Sequence, residues 1–423
     1  MKFSTQIKIL VDRYWKPGLR NTYWDLTAAC KEAKTMLFHP DASLSKHVRQ
    51  DLLQYLLGRS RPVVGQTEER ARAAADWLLR SQDATPDDGA SLGYFPCDGI
   101  YKGWRPSYPE TTGYIITTLL RFARQFEDTQ AREAAIKMAK WEITVQMPTG
   151  AVQGGPVSAS GKQTPAAFNT GMVLDGWCSA YEESADKDFL DAGRKAADFL
   201  VKDLDEAYYF KTNGEYVSAG EIKTYTCLCA WALYRFGILV GESQYSETAI
   251  RVIEAAIKQQ ESNGWFAHNC LTRSDAPLTH THGYALQGIL EVGLLAERED
   301  FLEAARRGID SILPKIAPNG YLPGRFYSDW EPASFSSCLT GSAQIAIVCF
   351  RLAEHSHNPL YKKCANQLVD FLKSLQSLDP QLPGIQGALG GAFPLLGEYM
   401  RSGYPNWATK YFLDALMLQM LSR

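Results

Sequence analysis

The chain has 423 residues, 45% hydrophobic and 22% charged, a balance that excludes a disordered or fibrous protein. Lys+Arg number 44 against 47 Asp+Glu, for a net charge of -3, and no basic run offers a footprint for a phosphate backbone, so nucleic acid is excluded as a partner. No uninterrupted apolar stretch approaches the ~20 residues of a spanning helix, so no membrane insertion is expected and the protein reads as soluble and cytoplasmic.

Residues 1–66 open on a short apolar stretch broken by Asp12 and Arg13, followed by helical patterns around 25–37 and 43–57. They read as an N-terminal helical extension packed on the remainder of the chain. From residue 67 to the end, two kinds of segment alternate. Charged amphipathic helices are expected at about 67–82, 130–146, 187–203, 245–260, 299–315 and 359–376, each with apolar residues at a spacing of ~3.6. Each is followed by a Gly-containing loop and then by a segment apolar almost all round, such as TGMVLDGWCSAY or TCLCAWALYRFGILV. A helix apolar all round is buried. Six amphipathic helices outside and six apolar helices inside predict an all-α fold, an (α/α)6 toroid over 67–423, read as six hairpins that each run from an outer helix to an inner one.

The inner-helix starts align at Thr112-Gly113, Thr170-Gly171, Thr226-Cys227, His282-Gly283, Thr340-Gly341 and Thr409-Lys410. The second members are 58, 56, 56, 58 and 69 residues apart, so an insertion precedes the last inner helix. Inner-to-outer connections are short, whereas the outer-to-inner loops are long and hold most of the Gly, Pro and exposed aromatics. Function is therefore expected at the rim where the inner helices begin. Six helix N-termini converge there and favour an anionic ligand, and Arg105, Lys223, Arg325 and Lys410 lie in the same rim. With 10 Trp and 21 Tyr, many in these loops, the rim suits stacking on flat ligands such as sugars.

Three positions before the aligned Gly, Cys or Lys stand Glu110, Phe168, Thr224, His280, Cys338 and Trp407. Glu110 and His280 thus hold equivalent places in the first and fourth repeats, which a ring of six sets on opposite sides. Neighbouring helices ~8–10 Å apart leave a gap about one sugar ring wide between such side chains. This is an arrangement for proton transfer on two faces of a ring; the alternative is a helix-capping Glu and a core His. Tyr114 and the other rim tyrosines would assist. Tyr108, Gln153, Asn169, Tyr225, His282, Tyr284, Tyr404, Asn406 and Trp407 are the remaining expected substrate contacts. Asp175, the only charge in a buried pattern, is either a deep acid or half of an ion pair. Asp329 and Glu331 are further carboxylates for a hydrolase, which needs two at about 5–10 Å.

Nine cysteines without CxxC spacing read as reduced thiols. Cys227-x-Cys229 and His280-x-His282 would meet on one metal only outside regular helix, since residues i and i+2 of a helix diverge, so no metal is expected. The absence of GxGxxG, GxxxxGK[ST] and HExxH strings leaves no support for a nucleotide cofactor or zincin chemistry, and no cofactor is expected.

The strings SYPETTGY (107–114), FNTGMVLDGW (168–177), PLTHTHGYALQGILEVG (277–293), SCLTGSAQIAI (337–347) and YPNWATKYFLDAL (404–416) resemble a family of uncharacterised six-hairpin, glycosidase-like proteins often encoded among bacterial polysaccharide or capsule biosynthesis genes. The resemblance implies a carbohydrate substrate and association with polysaccharide-assembly proteins. At fold level the expected architecture is similar to unsaturated glucuronyl hydrolases, sugar 2-epimerases and glucuronyl C5-epimerases. The expectation is an enzyme that modifies an acidic, uronic-acid-type glycan or sugar, most concretely by epimerase-like proton transfer. The alternatives are a glycoside hydrolase and a non-catalytic glycan-binding or scaffold protein. A terpenoid- or lanthionine-cyclase-like toroid is disfavoured by the lack of a DxDD string and of a zinc set.

Overall fold

A computed structural model describes residues 19–58, 66–158, 163–214 and 221–422, together with positions 6, 9, 63, 161. The Asp12 and Arg13 break in the N-terminal apolar stretch lies outside the described residues. Fourteen α-helices are present among them. Helices α1 (Leu19–Leu37) and α2 (Ala42–Leu57) precede the ring. The outer helices are α3 (Thr67–Asp83), α5 (Thr129–Val145), α7 (Lys187–Lys202), α9 (Ser243–Ile257), α11 (Glu299–Ile312) and α13 (Pro359–Leu375). The inner ones are α4 (Pro109–Phe126), α6 (Ala167–Ser184), α8 (Leu228–Val240, entered through a 3-10 turn at Thr224–Cys227), α10 (Thr279–Leu295), α12 (Leu339–Ser356) and α14 (Asn406–Leu421). The protein is an (α/α)6 toroid.

Each inner helix packs against the next, and α14 returns to α4 to close the ring. The pairing within hairpins differs from the sequence expectation. Of the outer helices, each inner helix packs most closely on the one that follows it, and α3 packs on α14, so the first outer helix completes the last hairpin. Short connections explain this. Four inner helices end on a residue in the left-handed region, one of them on Gly241 and the other three on Glu127, Ala185 or His357. The next residue, Asp128, Asp186 or Asn358, then caps the outer helix through its side chain. Such a cap satisfies a backbone N–H that the first helical turn leaves open. So tight a turn leaves the two helices no choice but to lie side by side.

Close approach of the inner helices depends on small residues. A Cβ at Gly113 would fall 2.6 Å from the Cα of Val173 on α6, and one at Gly341 would fall 2.6 Å from the backbone nitrogen of His280 on α10. These are contacts with backbone, which cannot rotate out of the way. Two-residue ladders finish the rim: β1 (Gly93–Tyr94) pairs with β4 (Tyr404–Pro405), and β2 (Ser337–Cys338) with β3 (Ala392–Phe393). The first ladder ties the first long loop to the last.

Met36, Leu44 and Val48 of α1 and α2 belong to the same apolar core as the ring. Tyr55 donates to the carbonyl of Phe335, and the Leu395 N–H donates to Asp51 at 2.6 Å. The extension thus braces the insertion between α13 and α14. Glycine-dependent contacts hold neighbouring inner helices together, so the ring is sensitive to added bulk. Gly113→Ala is expected to cost about 1–3 kcal/mol, as overpacking of a tight interior does, and a thermal melt of the variant beside the wild type checks it.

Candidate active site

Side chains from non-adjacent inner helices touch at the rim, so they project into the lumen. Phe168 of α6 meets Tyr284 of α10 with ring centroids 4.7 Å apart, Tyr284 meets Tyr411 of α14 at 6.1 Å, and Tyr411 meets Tyr114 of α4 at 5.6 Å. Tyr225 stands 5.5 Å from Phe168. Tyr399 enters from the insertion and accepts a hydrogen bond from the Trp407 indole at 2.9 Å. Trp407 in turn meets the Tyr108 ring at 6.3 Å. The outcome is a closely packed aromatic cluster, mostly of tyrosines, at the N-terminal ends of the inner helices, which forms the tyrosine chamber.

Glu110 is the second residue of α4, after Pro109. No side chain caps this helix; the Glu110 carboxylate instead accepts from the Tyr108 hydroxyl at 2.5 Å. It makes no cap hydrogen bond, although its place in the first turn is one where the helix dipole favours a carboxylate. Burial pushes the Glu110 carboxyl up to about 7, against the opposing pull of the Tyr108 hydrogen bond. Its charge acts on the phenols of Tyr114, Tyr225, Tyr284, Tyr399 and Tyr411, which places it within reach of the whole chamber.

His280, second residue of α10, lies 2.8 Å through Nδ1 from Oε1 of Gln344. An amide oxygen only accepts, so Nδ1 carries the hydrogen and Nε2 keeps its lone pair. The ring lies 4.2 Å from that of Tyr284 and 5.6 Å from that of Tyr399. Burial lowers the imidazole to about 4, outweighing the Gln344 hydrogen bond, so it is neutral at pH 7. Tyr284 and Tyr399 lie within range of both Glu110 and His280. The two groups therefore serve one chamber from opposite helices. Burial also raises the phenols of Tyr108, Tyr114, Tyr284, Tyr399 and Tyr411, which keeps them protonated and able to donate.

The chamber floor is an ion pair. Lys410 holds Asp414 at 2.9 Å, and its ammonium lies 3.8 Å from the Tyr411 ring and 5.0 Å from that of Tyr114. Thr118 donates to Asp414 as well, at 3.1 Å.

Other expected residues are engaged elsewhere. His282 is turned away from the lumen and lies between Trp265 and Trp330, 4.9 and 5.0 Å from their rings, with Asn269 3.1 Å from its Nδ1; burial lowers it to about 3. Asp175 is tied to Arg235 and accepts from Thr117 at 2.7 Å. Burial raises its carboxyl, but Arg235, Arg121 and Thr117 together outweigh that and hold it below the usual carboxylate range. It is half of an ion pair rather than a deep acid. Arg105 pairs with Asp98 at 2.5 Å, Lys223 with Glu221 at 2.9 Å and Arg325 with Glu398 at 2.8 Å, so with Lys410 every basic side chain expected to hold an anion already faces a carboxylate. Asn406 donates to the carbonyl of Ser91 and to Thr111, Gln153 to the carbonyl of Pro156, and Asn169 to the carbonyl of Gln153, all of them loop-fastening bonds, although Asn169 also contacts Tyr108. Tyr404 is held in β4. Asp329 is exposed, and Glu331 faces Lys315 at 3.8 Å. Among the described residues no three His, Cys, Asp or Glu side chains converge as a metal site. The Cys227 and Cys229 thiols point to backbone carbonyls.

Three chamber residues escaped the sequence reading: Tyr411, Gln344 and Tyr399. Tyr411 had a signal, since it follows the aligned Lys410 as Tyr114 follows Gly113 and Tyr284 follows Gly283. Gln344 lies one turn deeper, and Tyr399 belongs to an insertion with no repeat to align.

No protein-family model and no characterised protein sequence matches the chain. Its backbone is similar to that of an unsaturated glucuronyl hydrolase specific for heparin, at 15% identity and a TM-score of 0.67 over 84% of this chain and 97% of that one. A D-mannose isomerase is similar at 10% identity and a TM-score of 0.67, over 84% and 97% of the two chains. An α-mannanase from Bacteroides thetaiotaomicron is similar at 12% identity and a TM-score of 0.61, over 85% and 98%. This is the six-hairpin glycosidase-like fold. The fold is one that carbohydrate-active enzymes use, both hydrolases and isomerases. Among the described residues no helix is long and apolar enough to cross a membrane.

The raised Glu110 carboxyl implies a stability cost with a definite sign. Below its unfolded value near 4.5 the group is protonated in both states and costs nothing. As pH rises from there the unfolded state ionises first, and above about 7 the native state too must bear a buried charge, so stability falls across that window. Glu110→Gln keeps the acceptor for Tyr108 and removes the charge. It is expected to raise stability by on the order of 1–3 kcal/mol at pH 8, discounted for partial exposure, and to change little at pH 4; denaturant titrations at the two pH values check this.

Proposed function

We propose that the protein is a carbohydrate-active enzyme that moves a proton at a ring or chain carbon of a sugar bound in the tyrosine chamber, with Glu110 and His280 as its acid and base. The observation that carries this reading is the pairing of two side chains that burial brings toward neutrality from opposite directions, on opposed helices around one aromatic chamber. A C–H bond yields its proton only when a carbonyl or carboxylate adjoins it, so the substrate is a uronic-acid-type sugar or an open-chain sugar. His280 Nε2 accepts the proton, the bonding pair moves into the adjacent carbonyl, and a protonated tyrosine donates to the developing oxyanion. Glu110, close to half protonated at neutral pH, returns a proton to the opposite face.

Acidic sugars are favoured in this reading by the six helix N-termini alone, because the basic side chains are already paired. Matched uronic-acid and neutral oligosaccharides are expected to differ modestly in affinity, and the difference to shrink with salt; calorimetric titration at two ionic strengths measures it. Equal affinities at low salt would remove acidity from the substrate description and leave the proton transfer in place.

Hydrolysis is the second reading, favoured by the similarity to hydrolases of this fold. It lacks a second free carboxylate among the described chamber residues, since Asp414 and Glu398 are each bound to a cation. Reactions in deuterium oxide separate the two. Proton transfer predicts deuterium at the reacting carbon without new reducing ends; reducing ends without deuterium would replace it by hydrolysis, and binding without either would leave a glycan-binding protein.

Glu110→Gln and His280→Gln are each expected to lower turnover by about 10²–10⁴-fold. The double variant should be little worse than the worse single one, because both act in one step. In the direction that uses Glu110 as acid, the rate is expected to fall above about pH 7, where its carboxyl ionises. Rates normalised to folded protein, with melts as control, decide these outcomes.

A further inference from the structure

Below the Lys410–Asp414 floor the lumen opens again, at the face where the inner helices end. A cavity of about 590 Å³ lies there, within the ~300–1,000 Å³ span of small-molecule sites. The helical stripes that line the chamber continue down to line it. Arg121 follows Glu110, Tyr114 and Thr117 on α4, and Gln287 follows His280 and Tyr284 on α10, at the spacing of successive turns. Trp231, Ile347 and Met417 supply an apolar wall.

Two groups in this cavity make no hydrogen bond or close ion pair among the described residues. Inner-helix C-termini carry partial negative charge, which arginines in the last turns offset. Carboxylates then engage two of those that line the cavity: Arg124 meets Glu183 at 2.9 Å and Arg351 meets Glu291 at 2.9 Å. Arg121, exposed at the mouth, makes no hydrogen bond or ion pair among the described residues. Gln287 is only 6% exposed, and its Oε1 has no hydrogen-bond donor among the described residues. Buried acceptors left without a donor are rare in folded proteins. A cation at the mouth that touches no carboxylate, though its charge reaches Asp175, an unmet acceptor and an apolar wall describe the complement of one kind of molecule.

We propose that this cavity is a second ligand site, separate from the tyrosine chamber, for a small acid with a flat apolar body and an N–H or O–H group. Its carboxylate pairs with Arg121, its donor meets Gln287 Oε1, and its body lies against Trp231, Ile347 and Met417. The site shares a wall with the chamber, since Asp414 lines the cavity while its carboxylate holds Lys410 beneath Tyr114 and Tyr411.

Indole-3-carboxylate, which has a carboxylate, a ring N–H and a flat body, is the probe, with indole as its uncharged control. Calorimetric titration of the full chain is expected to show one saturable site, at least tenfold weaker for indole. Arg121→Gln, a change at an exposed position, and Gln287→Leu should each weaken the acid at least tenfold, and Glu110→Gln should leave its affinity unchanged. Three results would overturn the proposal: no saturable binding, equal affinity in wild type and Arg121→Gln, or binding lost in Glu110→Gln and kept in Arg121→Gln.

Discussion

The inner helices pass so close to one another that, at Gly113 and Gly341, the neighbouring backbone lies where a side chain would begin. Closeness narrows the ring until side chains from helices that are not neighbours meet across its axis, as Phe168 does with Tyr284 and Tyr284 with Tyr411. A lumen closed in this way buries its side chains, and burial sets their protonation. Gly341 shows the connection most directly, because the backbone it admits belongs to His280, one of the two groups whose protonation burial alters.

Burial disfavours charge of either sign, which is why it raises Glu110 and lowers His280. Elsewhere in the lumen the same pressure is met by pairing. Asp175 has Arg235, Asp414 has Lys410, and Glu398 has Arg325. Paired groups keep their charges and their positions, and they build the floor and walls. Glu110 and His280 are held by uncharged partners, Tyr108 and Gln344, that fix their geometry while leaving their protons exchangeable. In the proposed reading, the contrast between a charge that is paired and a titratable group that is merely oriented separates structural from chemical residues in this lumen.

The insertion before the last inner helix adds a part that the repeat does not contain. It brings Tyr399 to the chamber and Glu398 to Arg325, and it rests on α2 through Asp51. The extension thus reaches the chamber at one remove, by fixing the segment that carries Tyr399.

Periodicity carried the architecture, because amphipathic and all-apolar helices can alternate through six repeats in few ways, and the outer and inner ranges read from the pattern differ from the observed helices by a few residues. The same register placed Glu110 and His280 at equivalent helix starts, and it would have placed Tyr411 beside Tyr114 and Tyr284. Sequence alone left Asp175 between a deep acid and an ion pair, and counted Arg105, Lys223, Arg325 and Lys410 toward holding an anionic ligand. It also counted His282 with His280, although residues two apart on a helix face different ways and only one of them can enter the lumen. Which carboxylate meets which cation depends on contacts between segments tens to hundreds of residues apart, such as Asp175 with Arg235 and Arg325 with Glu398. Local pattern records which face of a helix is buried; it does not record what that face is buried against, and in a closed ring that partner decides whether a buried group is a fastening or a reagent.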